Sequence, residues 1–91
     1  MTRNDLHCAI AAITAALFET PDHEVIESFA YMALQSVSPS YTLDAYTQVV
    51  GIMVRAKLIN QRHGKLVLTA EGIKLGQKLE ESLTGARHGQ A

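Results

Sequence analysis

Leu6, Ile10, Ile13 and Leu17 recur at steps of four, three and four residues, with Ala9, Ala12 and Ala16 beside them. That spacing lays one apolar stripe along a helix and predicts α-helix from about Asp5 to Phe18. In the next stretch Thr20 can cap a helix, Pro21 suits a first helical position, and Asp22 and Glu24 suit the positive end of a helix dipole. A second helix is therefore expected from Pro21 to about Ser36. Its apolar face would be wide, made of Val25, Ile26, Phe29, Ala30, Ala33, Leu34 and Val37, and Ser38-Pro39-Ser40 would stop it. Ser40 or Thr42 then caps a third helix, TLDAYTQVVGIMVRAK. At 100° per residue, Leu43, Tyr46, Val50, Met53, Val54 and Lys57 fall on one side, and Asp44, Ala45, Gln48, Ile52 and Arg55 on the other.

The period changes in KLINQRHGKLVLTAEG. Two short apolar runs flank RHG, where Gly64 can take the positive φ of a tight turn, so a two-stranded hairpin is expected at about 58–69. Thr69 caps a fourth helix at about 70–83, with Leu75, Leu79 and Leu83 at four-residue steps. One domain over 1–84 follows, mostly α with a small β-hairpin, and a flexible tail over 85–91, where apolar periodicity ends.

Composition narrows the function. Ninety-one residues suffice for one core, and 47% hydrophobic against 19% charged residues is a globular balance with no run long enough for a membrane span. The interrupted N-terminal stretch Asn4-Asp5-Leu6-His7 does not resemble a signal peptide, so a cytoplasmic location is expected. Cys8 has no second cysteine to pair with and, beside alanines, reads as a small buried thiol. Tyr31, Tyr41 and Tyr46 read as core-edge residues with their hydroxyls at the surface. His7, His23, His63 and His88 lie on different elements without metal-ligand spacing, so no metal or cofactor is expected. GIKLG is no phosphate loop, and Gly72 and Gly76 read instead as close-packing positions. Without a nucleophile signature either, the chain reads as non-enzymatic. A net charge of −1 argues against binding nucleic acid through overall charge and leaves only a local patch.

Three helices, a hairpin and a closing helix form the order of a winged helix-turn-helix domain. The segment from Leu58-Ile59 to Leu68-Thr69-Ala70-Glu71-Gly72 resembles the wing and following helix of MarR-like and related small regulators. The resemblance covers Thr42–Leu83 by motif and the first two helices by order and length. It implies a three-helix core, a two-stranded wing, a C-terminal helix, and a recognition helix over Thr42–Ala56. It further implies that Gln48 and Arg55 contact bases or phosphates of double-stranded DNA. Thr47 and Tyr46 would contact phosphates, and Arg62, His63 and Lys65 would act from the wing. A helix of this kind fits the major groove while a hairpin beside it reaches the backbone. One weakly charged module gains from two half-sites, so a homodimer through helices 1 and 4 is expected. The alternative is a protein-protein adaptor using helix 3 around an outward Ile52.

Overall fold

A computed structural model describes residues 2–90, with side chains described over 2–82. In chain order the elements are α1 (Arg3–Phe18), β1 (Glu24–Ile26), α2 (Glu27–Val37), α3 (Leu43–Arg55), β2 (Ile59–Arg62), β3 (Lys65–Leu68) and α4 (Ala70–Gln90). The fold is thus mostly helical with a small antiparallel sheet of strand order β1-β3-β2. None of the described helices is long and apolar enough to cross a membrane.

α1 begins two residues before the expected Asp5. Thr2 is its N-cap, and Thr2 and Asp5 form a reciprocal capping box: the Asp5 N–H donates to Thr2 Oγ1 at 3.1 Å and the Thr2 N–H to Asp5 Oδ2 at 3.2 Å. Those Thr2 bonds hold the Asp5 carboxyl below the usual aspartate range. Of the expected stripe, Ile13 and Leu17 are fully buried, with Ala9 beside them, and Leu6 and Ile10 are partly buried. Cys8 is exposed, which corrects the buried-thiol expectation: it lies one position before the buried Ala9, off the buried face of α1.

The expected start of the second helix at Pro21 is also corrected. Thr20 Oγ1 accepts the Glu24 N–H at 3.1 Å, and its own hydroxyl donates back to the Leu17 carbonyl at 2.7 Å. The Thr-Pro-Asp signal therefore closes a turn. His23 leaves that turn at φ 54°, its ring stacked on Phe18 at 5.5 Å, and the chain enters a third strand absent from the expected two-stranded arrangement. β1 pairs antiparallel with β3, Val25 opposite Leu66, which buries Val25 and fills the edge that a lone hairpin would leave open. α2 follows without a side-chain cap at Ile26. Its first N–H, from Glu27, donates instead to the Gly64 carbonyl in the hairpin turn at 2.9 Å.

α3 begins as expected, with Thr42 Oγ1 accepting the Ala45 N–H. Its buried side is Tyr46, Val49, Val50 and Met53. Leu43 and Val54, assigned to that side by the 100° projection, are 61% and 37% exposed, while the supposedly outward Ile52 is partly buried. The helix ends in a Schellman motif: Leu58 N–H reaches the Met53 carbonyl at 2.9 Å and Lys57 N–H the Val54 carbonyl at 3.0 Å. Lys57 takes the left-handed position at φ 64°, where glycine is usual.

The hairpin turn is His63-Gly64, with φ of 49° and 73°, and Arg62 pairs with Lys65 across it. Positive φ at both residues suits the primed turn that matches strand twist. Leu66, Leu68 and Ile59 point into the core.

The Leu-Ile and Leu-Thr-x-x-Gly residues meet in one joint. Thr69 N–H donates to the Leu58 carbonyl at 3.0 Å, and the Thr69 hydroxyl donates to the Lys57 carbonyl. The same hydroxyl accepts the Gly72 N–H at 3.1 Å as the cap of α4. Gly72 is bare where it meets the Leu58 carbonyl, so a Cβ there would overlap that oxygen. A few residues on, a Cβ at Gly76 would stand 2.7 Å from the Phe18 ring, so both glycines are close-packing positions as expected. α4 continues past the expected stop near Leu83 to Gln90, and the tail expected over 85–91 lies outside the residues whose side chains are described.

Candidate nucleic-acid interface

Two neighbouring pieces of backbone carry the expected contact residues. α3 exposes Leu43, Asp44, Thr47, Gln48, Val54 and Arg55, and the hairpin beside it exposes Arg62, His63 and Lys65. A shared acceptor ties the two together. Glu27 Oε1, at the start of α2, accepts the Gln61 amide of β2 at 2.8 Å and the Tyr46 hydroxyl of α3 at 3.1 Å. The hairpin is therefore braced at three points: through Gln61 to Glu27, through the Gly64 carbonyl to the start of α2, and through β1.

Tyr46 is corrected as a phosphate contact. It is buried, its ring lies 5.5 Å from that of Tyr31, and its hydroxyl is spent on Glu27. Burial first, and the Glu27 carboxylate second, push that hydroxyl far above the ordinary tyrosine range. Tyr41 is buried too. Its hydroxyl donates to the Asp5 carbonyl at 2.7 Å and so ties the entry of α3 to the start of α1.

The remaining residues differ in how ready they are to meet a phosphate. Thr47 Oγ1 donates its one proton to the Leu43 carbonyl at 2.9 Å, so it must turn away from that carbonyl before it can donate to a phosphate. Gln48 is exposed, with the carbonyl and the NH2 of its amide both available. Arg55 lies back along α3, its Nε donating to the Gly51 carbonyl at 3.3 Å, so its terminal nitrogens face out at the helix end. Lys65 already pairs with Glu24 at 3.1 Å across β1 and β3, which discounts its charge. Arg62 has no ion-pair partner among the described residues, and His63 sits exposed at the turn.

One electrostatic pattern was readable in the sequence and is hidden by the small net charge. No lysine or arginine occurs between Arg3 and Arg55, while Asp5, Glu19, Asp22, Glu24, Glu27 and Asp44 all fall in that interval. Arg55, Lys57, Arg62, Lys65, Lys74, Lys78 and Arg87 then follow, against Glu71, Glu80 and Glu81. Apart from Arg3 at the start of α1, the lysines and arginines thus fall at the end of α3, on the hairpin and on α4. Lys57, which neighbours Arg55 at the α3 terminus, belongs with the candidate contacts and is exposed. No family model, curated protein or solved structure matches the chain.

Proposed function

We propose that this protein is a winged helix-turn-helix regulator that binds double-stranded DNA as a homodimer, with α3 as recognition helix and the β2-β3 hairpin as wing. The observation that carries the reading is the placing of four cations, Arg55, Lys57, Arg62 and Lys65, at the α3 end and on a hairpin braced beside α3, in a chain that has no other lysine or arginine between Arg3 and Lys74. Arg55, Lys57 and Arg62 neutralise phosphates, His63 and a Thr47 hydroxyl turned away from the Leu43 carbonyl add hydrogen bonds, and Gln48 reads a base edge. Lys65 contributes less because Glu24 holds it. Asp44, exposed in the first turn of α3, opposes the backbone and limits affinity.

The dimer is supported by an apolar groove between α1 and α4, lined by His7, Ile10, Ala11, Leu75 and Leu79. Its apolar lining would be covered by a second copy, and a symmetric pair presents two half-sites. An adaptor centred on Ile52 loses its motive, since that side chain is partly buried.

The test is binding to random and selected duplexes over a range of salt. Wild type binds duplex DNA at about 50 mM salt, and Arg62→Ala flattens the log K against log salt slope by about one unit. Lys65→Ala flattens it less. Gln48→Ala costs about 1–3 kcal/mol on the selected site and little elsewhere. Asp44→Asn tightens binding to every duplex. Absence of duplex binding at low salt overturns the reading.

A further inference from the structure

We propose that the groove between the end of α1 and α2 is a docking site for a lysine- or arginine-flanked amphipathic helix of another protein. The argument starts from α2, which carries no charge after Glu27 yet leaves Phe29 49% and Met32 65% exposed. Isolated exposed apolar side chains are ordinary, but these two line one groove together with the small residues Ala16, Ala33 and Ser36. Large apolar side chains beside small ones leave room for the knobs of a helix, and a methionine adapts to their shape. Depletion of charge is the mark of an interface core.

The rim selects the occupant. Glu19 lines the groove, Asp22 is exposed in the turn that follows, and the interval from Asn4 to Val54 holds no lysine or arginine. A duplex is repelled by such a rim. A second copy seated symmetrically would bring Glu19 toward its own duplicate, a like-charge juxtaposition. A helix with apolar residues at every third or fourth position and cations on its flanks satisfies both groove and rim. The residues involved are separate from those of α3 and the hairpin, so this proposal stands independently of DNA binding.

The test uses two fluorescent peptides of about eighteen residues, long enough for helix to form on binding, with identical leucine stripes and either lysine or glutamate flanks. Fluorescence anisotropy with the full chain should show the lysine peptide binding at least about tenfold tighter at low salt, with the gap closing as salt rises. Phe29→Ala and Met32→Ala should each weaken it several-fold, and Glu19→Lys should erase the preference. Thermal melts keep the variants honest, since both apolar side chains are half or more exposed. Equal affinity for the two peptides, or binding of neither, overturns the proposal. So does loss of self-association in Phe29→Glu by sedimentation, which would make the groove an interface between copies of this chain.

Discussion

Replacing Gly72 by alanine tests the joint between α3, the hairpin and α4. In an unobstructed helix this change gains about 1 kcal/mol, because glycine has the larger backbone entropy to lose. At Gly72 the new Cβ would overlap the Leu58 carbonyl oxygen and stand 2.6 Å from Leu68 Cδ2. The obstacle is mostly backbone, and that carbonyl already accepts the Thr69 N–H at 3.0 Å, so it cannot step aside freely. Overpacking costs about 1–3 kcal/mol, and a displaced hydrogen bond about 1 kcal/mol more. After the propensity gain, a net loss of roughly 2 kcal/mol remains, a large part of the stability of a small domain. Gly51→Ala is the matched control: it lies in α3 with nothing within 4 Å of the added atom, and should gain about 0.5–1 kcal/mol. Urea and thermal melts by circular dichroism read both, at roughly 4–8 °C in Tm per kcal/mol for a chain of this size. Opposite signs are expected. A Gly72→Ala protein as stable as wild type would refute the joint.

Three further outcomes follow from single residues. Lys57→Gly should stabilise the fold by about 1 kcal/mol in the same melts, since lysine bears a left-handed conformation at φ 64° that glycine adopts freely; an unchanged or lower Tm would count against it. Cys8 is exposed, so a thiol reagent should label it in the folded protein as fast as in urea, and protection would mean that something covers α1. Tyr46 holds its proton more tightly folded than unfolded, so its contribution to stability is complete below the ordinary tyrosine value of about 10 and is lost as pH rises beyond it. Tyr46→Phe should flatten the alkaline limb of a stability-pH profile, and an unchanged slope would assign that limb elsewhere.

The long helices were legible because periodicity and a local cap agreed, as at Thr42 before α3 and at Thr69 before α4. β1 was not. Three residues carry too little pattern, and Thr20-Pro21-Asp22 is as good a helix start as a turn; what decides is pairing with β3, forty residues away in sequence and invisible to local rules. On α3, Leu43 and Val54 lie at the margins of the projected arc, where neighbouring elements rather than angle set exposure. Of the candidate interface, Thr47, Gln48, Arg55, Arg62 and His63 are all exposed, but nothing in the sequence told that Tyr46 would be committed to Glu27 or Lys65 to Glu24. Both partners come from β1 and the start of α2, the region misread as a helix start.

The joint at Lys57, Leu58, Thr69 and Gly72 also governs where the chain tolerates a change of length. Both strands of the hairpin are pinned at their inner ends, by Thr69 on the Lys57 and Leu58 carbonyls, and only the outer end at His63-Gly64 is a turn. One residue inserted between Leu58 and Ile59, or between Leu68 and Thr69, would reverse the facing of a whole strand and turn Ile59, Leu66 or Leu68 out of the core. Residues added in pairs at the tip would leave those positions and the joint intact, at the cost of the Gly64 cap on α2. The reach of the hairpin is therefore adjustable from its tip alone, independently of the helices that hold its base.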